Sequence, residues 1–401
     1  SIQGARMFVV PPPAVDGLGN AGGFKLQVQD RGGAGEQALY GAVWGVLGQV
    51  YGNPQSSIGT PYSGYDINVP QLFADVDRTR AKQWALAVAV AILGFGLMAW
   101  RGWISPLNTI YASSQLTWLS LLFGGTLFGA GMVLGSGCPS KSLIRLGGGN
   151  LKSLVVLMAM GISGLATLRG LTAVWRVHSI DQVTLGTGPG PFMGQWLANA
   201  TGLTLPLAWL ISACVLSGLL LVWIFKDRQF MPRSVAFSGL CVGAAVVALW
   251  WVSGVLGFVP EHPETLEPIF LATASGRMES MSLTAPVAHW WDAFMYFSDG
   301  SKRLTLGMAT VLGLLVGALG SAQSQGTFRW EGFTQTPDLA LHLLGGTLMG
   351  IGGVMAMGCT VGQGLSGLST LSLGSFIAVF GIVLGAVLAL QWQLRRAEAL
   401  E

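Results

Sequence analysis

The chain of 401 residues carries a net charge of only +3, and its charged fraction of 10% lies far below the roughly 25% of soluble domains, while hydrophobic residues reach 51%. That balance excludes an aqueous globular fold, and so few charges form no basic stripe to neutralise phosphates, which removes nucleic acid as a partner. The four cysteines, Cys138, Cys214, Cys241 and Cys359, have no CxxC spacing and the four histidines stand singly, so neither a disulfide framework nor a zinc site is indicated.

Residues 1–83 are different in character from the rest, with 12 charged residues against 27 in the remaining 318. Their pattern predicts a strand at Gly23–Gln29, a turn at Asp30–Gly33, a helix at Gly35–Tyr51 and a strand at Tyr65–Val69, a small soluble α+β segment. The runs Met7-Phe-Val-Val-Pro-Pro-Pro-Ala-Val, Gly22-Gly-Phe-Lys-Leu-Gln-Val-Gln-Asp and Tyr65-Asp-Ile-Asn-Val resemble one porter subdomain of resistance-nodulation-division efflux pumps. The likeness stops with this segment. It implies a fusion or graft, foreign to the membrane domain that follows in residues 84–401.

From Trp84 onward, apolar runs at 84–100, 116–136, 151–168, 206–225, 235–258, 306–321, 341–357 and 372–391 predict eight membrane spans, close to the roughly 20 residues that cross a bilayer. Arg78, Arg80, Lys82, Lys226, Arg228, Arg233, Arg329, Arg395 and Arg396 fall on one side of that count, and the acidic loop Glu261–Glu267 on the other. The positive side is cytoplasmic, which predicts a multi-pass protein of the bacterial inner membrane with both ends of the membrane domain in the cytoplasm. Porter subdomains are periplasmic, so the same count sets residues 1–83 in the wrong compartment for their likeness.

The strongest internal signal is a repeat. Gly124-Gly-Thr-Leu-Phe-Gly-Ala-Gly-Met-Val-Leu-Gly-Ser-Gly-Cys138 aligns without a gap on Gly345-Gly-Thr-Leu-Met-Gly-Ile-Gly-Gly-Val-Met-Ala-Met-Gly-Cys359, matching at 9 of 15 positions. The two copies run in opposite directions through the membrane under the predicted topology. Inverted repeats with interrupted helices are the pattern of transporters that bind near the bilayer midplane. The expected fold is therefore an all-α integral membrane protein, an inverted-repeat helical bundle with re-entrant or broken helices and halves at about 84–225 and 235–396.

Irregular backbone at membrane depth is tolerated only where it lines a cavity or is buried in protein. Breaks at Gly137-Cys138 and Gly358-Cys359 thus predict a lined path, with half-helix N-termini aiming N–H groups at an anion. A neutral thiol suits a soft sulfur atom better than a hard oxyanion, which points to a small sulfur-containing anion. Lys141 and Arg145 flank the first break as attractors of a dianion, and Gln363 and Ser366 flank the second as neutral hydrogen-bonding groups. Cys214 and Cys241 sit in apolar runs and read as packing residues.

Gly135-Ser-Gly-Cys-Pro-Ser-Lys-Ser-Leu-Ile-Arg-Leu-Gly-Gly-Gly-Asn and Met357-Gly-Cys-Thr-Val-Gly-Gln-Gly-Leu-Ser-Gly-Leu-Ser resemble the signature loops of the YeeE/YedE family of sulfur-compound transporters. The resemblance implies a pseudo-symmetric helical fold, uptake of thiosulfate contacted by Cys138 and Cys359, and a cytoplasmic sulfur carrier of the TusA type as partner. No cofactor is implied. Two other classes stay open at this point: a membrane thiol or persulfide oxidoreductase cycling the same cysteines, and a structural subunit of an envelope complex. The loop Pro260–Arg303 is an addition to the family's minimal pattern, and its Trp290, Trp291 and Tyr296 read as an interfacial aromatic anchor.

Overall fold

A computed structural model describes residues 8–10, 25–27, 36–51, 78–226, 231–261, 266, 268–271, 273–299, 304–333 and 336–398. The chain divides into two compact units, Ser1–Asp75 with Gln393–Glu401, and Val76–Trp392. In the first, strand β1 (Phe8–Val10) pairs antiparallel with β2 (Lys25–Gln27), Phe8 opposite Gln27, and helix α1 covers Glu36–Tyr51. The expected strand at Gly23–Gln29 contains β2 and the expected helix at Gly35–Tyr51 contains α1, whereas β1 is not among the expected strands. The expected strand at Tyr65–Val69 lies outside the described residues.

The second unit is helical because, without water to satisfy them, backbone N–H and C=O groups are most simply paired within helices. Its elements are α2 (Arg78–Trp100), α3 (Trp118–Leu134), α4 (Pro139–Gly147), α5 (Leu151–Arg169), α6 (Leu171–His178), α7 (Met193–Thr201), α8 (Leu205–Lys226) and α9 (Arg233–Trp251). They are followed by α10 (Thr284–Met295), α11 (Leu306–Ser324), α12 (Thr336–Met355) and α13 (Leu373–Glu398). Short antiparallel ribbons, β3 (Gln115–Leu116) with β4 (Leu185–Gly186) and β5 (Phe258–Val259) with β6 (Ile269–Phe270), tie connecting segments together.

Among the described residues, eight helical segments are long and apolar enough to cross a membrane, one for each predicted run. The molecule is thus an all-α membrane protein. The segments differ in enclosure, Arg78–Trp100 being the most buried of them and Leu306–Ser324 the least, so α2 is central and α11 peripheral. Around α2 an aromatic core gathers, with Phe95 edge-on to Trp250 at 5.2 Å and Phe192 tilted on Trp209 at 5.1 Å.

The repeat builds the centre. α3 and α12 pack antiparallel and so closely that only glycine fits between them. A Cβ on Gly131 would lie 2.6 Å from Gly345 O, and one on Gly352 would lie 2.5 Å from Gly124 O. In the repeat alignment Gly124 corresponds to Gly345 and Gly131 to Gly352, so these two contacts exchange under the repeat. The pair is a pseudo-symmetric, inverted one.

Candidate functional site

Each repeat helix ends in the same elbow. After α3, Gly135 N donates to Gly131 O at 2.8 Å, Ser136 takes φ 60°, and Gly137 takes φ 152° while its N–H bonds Met132 O at 2.8 Å. After α12, Ala356 N donates to Gly352 O at 2.8 Å, Met357 takes φ 56°, and Gly358 takes φ 157° while its N–H bonds Gly353 O at 2.8 Å. The i to i−5 bond with a left-handed residue is the Schellman closure, which satisfies the end carbonyls and turns the chain sharply. The φ of Gly137 and Gly358 belongs to the region only glycine enters easily, which is why Gly precedes each cysteine.

Cys138 and Cys359 follow as the first residues beyond the elbows, each at the start of a second helical piece. Ser142 N bonds Cys138 O at 2.9 Å, opening α4, and Gln363 N bonds Cys359 O at 2.8 Å, opening the second piece. Cys138 is half-buried, with Sγ 3.0 Å from Ser140 Oγ. Cys359 is fully buried, and its Sγ accepts from Gly362 N at 3.4 Å, with the backbone N–H groups of Val361 and Leu283 also directed at it. Cys138 stands within electrostatic reach of Cys359.

The halves then diverge. α4 is regular, whereas Gly362–Gly367 forms a wider π-helical turn, a local distortion frequent at functional positions. Lys141 and Arg145 both fold back over the first elbow: the Lys141 stem covers Gly137, and Arg145 Nη1 donates to Ser136 O at 2.9 Å. Their counterparts in the second half are Gly362 and Ser366, uncharged and buried. There Gln363 folds over Gly358 and donates from Nε2 to Ala356 O at 2.5 Å, while its Oε1 is buried without a hydrogen-bond partner. Ser366 Oγ donates to Met281 O at 2.7 Å.

Two cavities reach the elbows from opposite ends. One of about 450 Å³ is lined by Ser136, Arg145, Lys152, Arg329, Asp338 and His342 among others, at the ends of α4 and α11 and the starts of α5 and α12. The other, about 30 Å³, holds little more than a water; Met357, Gln363, Tyr111, Thr117 and Ser372 line it, beside the starts of α3 and α13. Cys138 and Cys359 line neither cavity. Lys141 and Ser366 also line neither.

Several residues of this region carry no signal in the sequence. Tyr111 OH donates to Gly362 O at 2.7 Å, and burial holds its phenol far above the ordinary range, so it remains a neutral donor. Burial likewise pushes the nearby Glu279 carboxyl up, against the lowering effect of hydrogen bonds from Ser275. The segment 281–283, ahead of α10, reaches the second elbow through Met281, Ser282 and Leu283, while Trp290 bonds Met308 O at 3.1 Å and Trp291 packs over Gly161. Cys214 and Cys241 are exposed on α8 and α9 and join neither elbow.

Comparison with known proteins agrees with this architecture. A family model described as sulphur transport matches residues 67–388. The thiosulfate transporter TsuA of Spirochaeta thermophila is 29% identical over 276 residues, 66% of this chain and 74% of its own. The thiosulfate transporter TsuA of Escherichia coli is 25% identical over 307 residues, 75% of this chain and 81% of its own. With eight candidate spans among the described residues, a doubled elbow and relatives that are transporters, the chain is a membrane transporter rather than an enzyme, and it belongs to the sulphur transport family.

Proposed function

We propose that the protein takes up thiosulfate across the bacterial inner membrane, passing it between Cys359 and Cys138. The observation that carries this reading is the pair of matched elbows, each presenting a thiol at the opening of a helical piece, between cavities at opposite ends. Thiosulfate has a hard oxyanion end and a soft terminal sulfur. N–H groups of Val361, Gly362 and Leu283 supply neutral donors beside Cys359, and thiols supply weak S–H contacts for the sulfur. Gln363 and Ser366 support the second elbow, and Lys141 and Arg145 give the first its positive charge.

Direction follows from charge. Arg78, Arg80, Lys226 and Arg233 sit at the starts of α2 and α9 and the end of α8, the same side of the bundle as the larger cavity, and the positive-inside rule makes that side cytoplasmic. The neutral small cavity then faces out. A dianion moving inward passes from uncharged donors to a cationic space, on the side where a TusA-type carrier is the fitting partner. Residues 1–75, ahead of α2, stand outside this reading and are dispensable to it.

The test is uptake of labelled thiosulfate into proteoliposomes, with sulfate and thiosulfate as competitors, for the whole chain and for a chain starting at Val76. Competition by thiosulfate alone and equal uptake by both chains are expected. Equal competition by sulfate overturns the role given to the soft sulfur.

A further inference from the structure

The larger cavity contains a titratable cluster that neither the elbows nor the thiols use. His342, on α12, is 6% exposed and holds its Nδ1 2.8 Å from Asp338 O and 3.0 Å from Asp338 Oδ1. Two acceptors at one ring nitrogen fix the hydrogen there, which leaves Nε2 as the nitrogen able to gain or lose a proton. Phe333 stands edge-on to the ring at 5.2 Å, fixing its plane.

The charged groups around His342 come from every wall. Asp338 lies on its own helix, and Lys152 reaches from α5 to bond Asp338 Oδ2 at 2.6 Å. Arg145 enters from α4, and Arg329 and Glu331 come from the segment between α11 and α12. Glu331 is engaged by Asn150 Nδ2 at 2.6 Å. α3, packed along α12, has no ionisable side chain, and α10, with His289 and Asp292, meets α12 at the far end, where Thr284 abuts Gly353. The lining thus sets three fixed cations, Arg145, Lys152 and Arg329, against two carboxylates, Glu331 and Asp338, for a net +1. A proton on His342 makes it +2.

We propose that this cavity is a holding site for a divalent oxyanion whose grip is set by protonation of His342, protonated to hold and neutral to release. The inference rests on the thiosulfate reading and deepens it, because it gives the path a second station, separate from the thiols, and a proton tied to the anion's stay. A bound dianion favours the imidazolium and the imidazolium favours the dianion, since the two are linked by one coupling free energy. Release into a less acidic compartment then gives up anion and proton together.

The experiment is calorimetric binding of thiosulfate to the purified full chain between about pH 5.5 and 8.5, a range in which thiosulfate stays a dianion and an ordinary histidine titrates near pH 6.5. Wild-type affinity should fall by about tenfold across the range, the equivalent of one unit of linkage between proton and anion. His342→Gln, which keeps an N–H toward Asp338, should bind at the weak limit with no slope. Asp338→Asn, which removes one of the two carboxylates from the lining, should bind thiosulfate more tightly than the wild type across the range, and it serves as the probe if the glutamine variant does not fold, an affinity no tighter than wild type overturning the inference. Wild-type binding of constant strength, or a His342→Gln protein with the wild-type slope, overturns the inference alone. No wild-type binding at any pH overturns the thiosulfate reading and this inference with it.

Discussion

Ser136 and Met357 occupy the same backbone position in the two repeats, with φ of 60° and 56°, and each forms part of a different cavity. Neither is glycine, although a left-handed residue with a side chain costs about 1–2 kcal/mol. The strain is therefore symmetric, and it sits where each cavity meets a Gly-Cys step.

Met357→Gly should relieve that strain and raise the thermal unfolding midpoint of the detergent-solubilised protein, while widening the small cavity. Gly358→Ala should do the opposite. Its φ of 157° is costly for alanine, and the added Cβ would lie 3.2 Å from Gln363 N. A loss of about 1–3 kcal/mol is expected from such backbone strain. Scanning fluorimetry of both variants beside the wild type checks the pair, and a Gly358→Ala midpoint equal to wild type would remove the elbow's dependence on glycine.

Cys138→Ser and Cys359→Ser should each lower thiosulfate uptake by about tenfold or more, since a hydroxyl is smaller, harder and more hydrated than a thiol facing soft sulfur. Serine still accepts from Gly362 N at the second site, so folding should hold. Uptake assays on protein whose folding is confirmed by gel filtration separate the two effects. Full activity in the double variant reduces both cysteines to packing.

Much of this was legible beforehand because its signals are local. Spans are runs of apolar residues, and the repeat is a string of identities that the matched hydrogen bonds of Gly137 and Gly358 reproduce. What stayed hidden is assembled from afar. Tyr111 meets Gly362 across 251 positions and Lys152 meets Asp338 across 186, and no spacing rule covers such distances. His342 read as a single histidine for the same reason. The divergence of the elbows was half visible: the neutral Gln363 and Ser366 against the charged Lys141 and Arg145 were plain, but nothing in Gly-Gln-Gly-Leu-Ser-Gly announces a π-helical turn.

Gln363 closes the second elbow as Arg145 closes the first. Gln363→Leu would keep the bulk and leave Ala356 O buried without its donor, at about 1–3 kcal/mol. Gln363→Glu would place an acid beside a path meant for anions. Reduced uptake in both is expected, with lowered stability in the leucine variant. Wild-type uptake in Gln363→Glu would show that the anion's path does not pass this residue.

The helix contact beneath the elbows offers the most direct contrast. A Cβ on Gly352 would lie 2.4 Å from Phe128 N and 2.5 Å from Gly124 O, both backbone atoms that cannot rotate away. Gly352→Ala must therefore push α12 from α3, with an overpacking cost of about 1–3 kcal/mol. Because both elbows hang from this pair, uptake should fall along with stability. Gly131→Ala, its repeat counterpart, meets Gly345 O at 2.6 Å and should behave alike. Gly320 on α11 has nothing within 4 Å of its Cβ position, and α11 is the least enclosed span. Gly320→Ala should instead stabilise the helix slightly, by about 0.5–1 kcal/mol, with uptake unchanged. Unfolding midpoints and uptake measured on the three variants together decide the matter: if Gly352→Ala and Gly320→Ala were equally tolerated, close backbone approach of the two repeats would not be what positions Cys138 and Cys359.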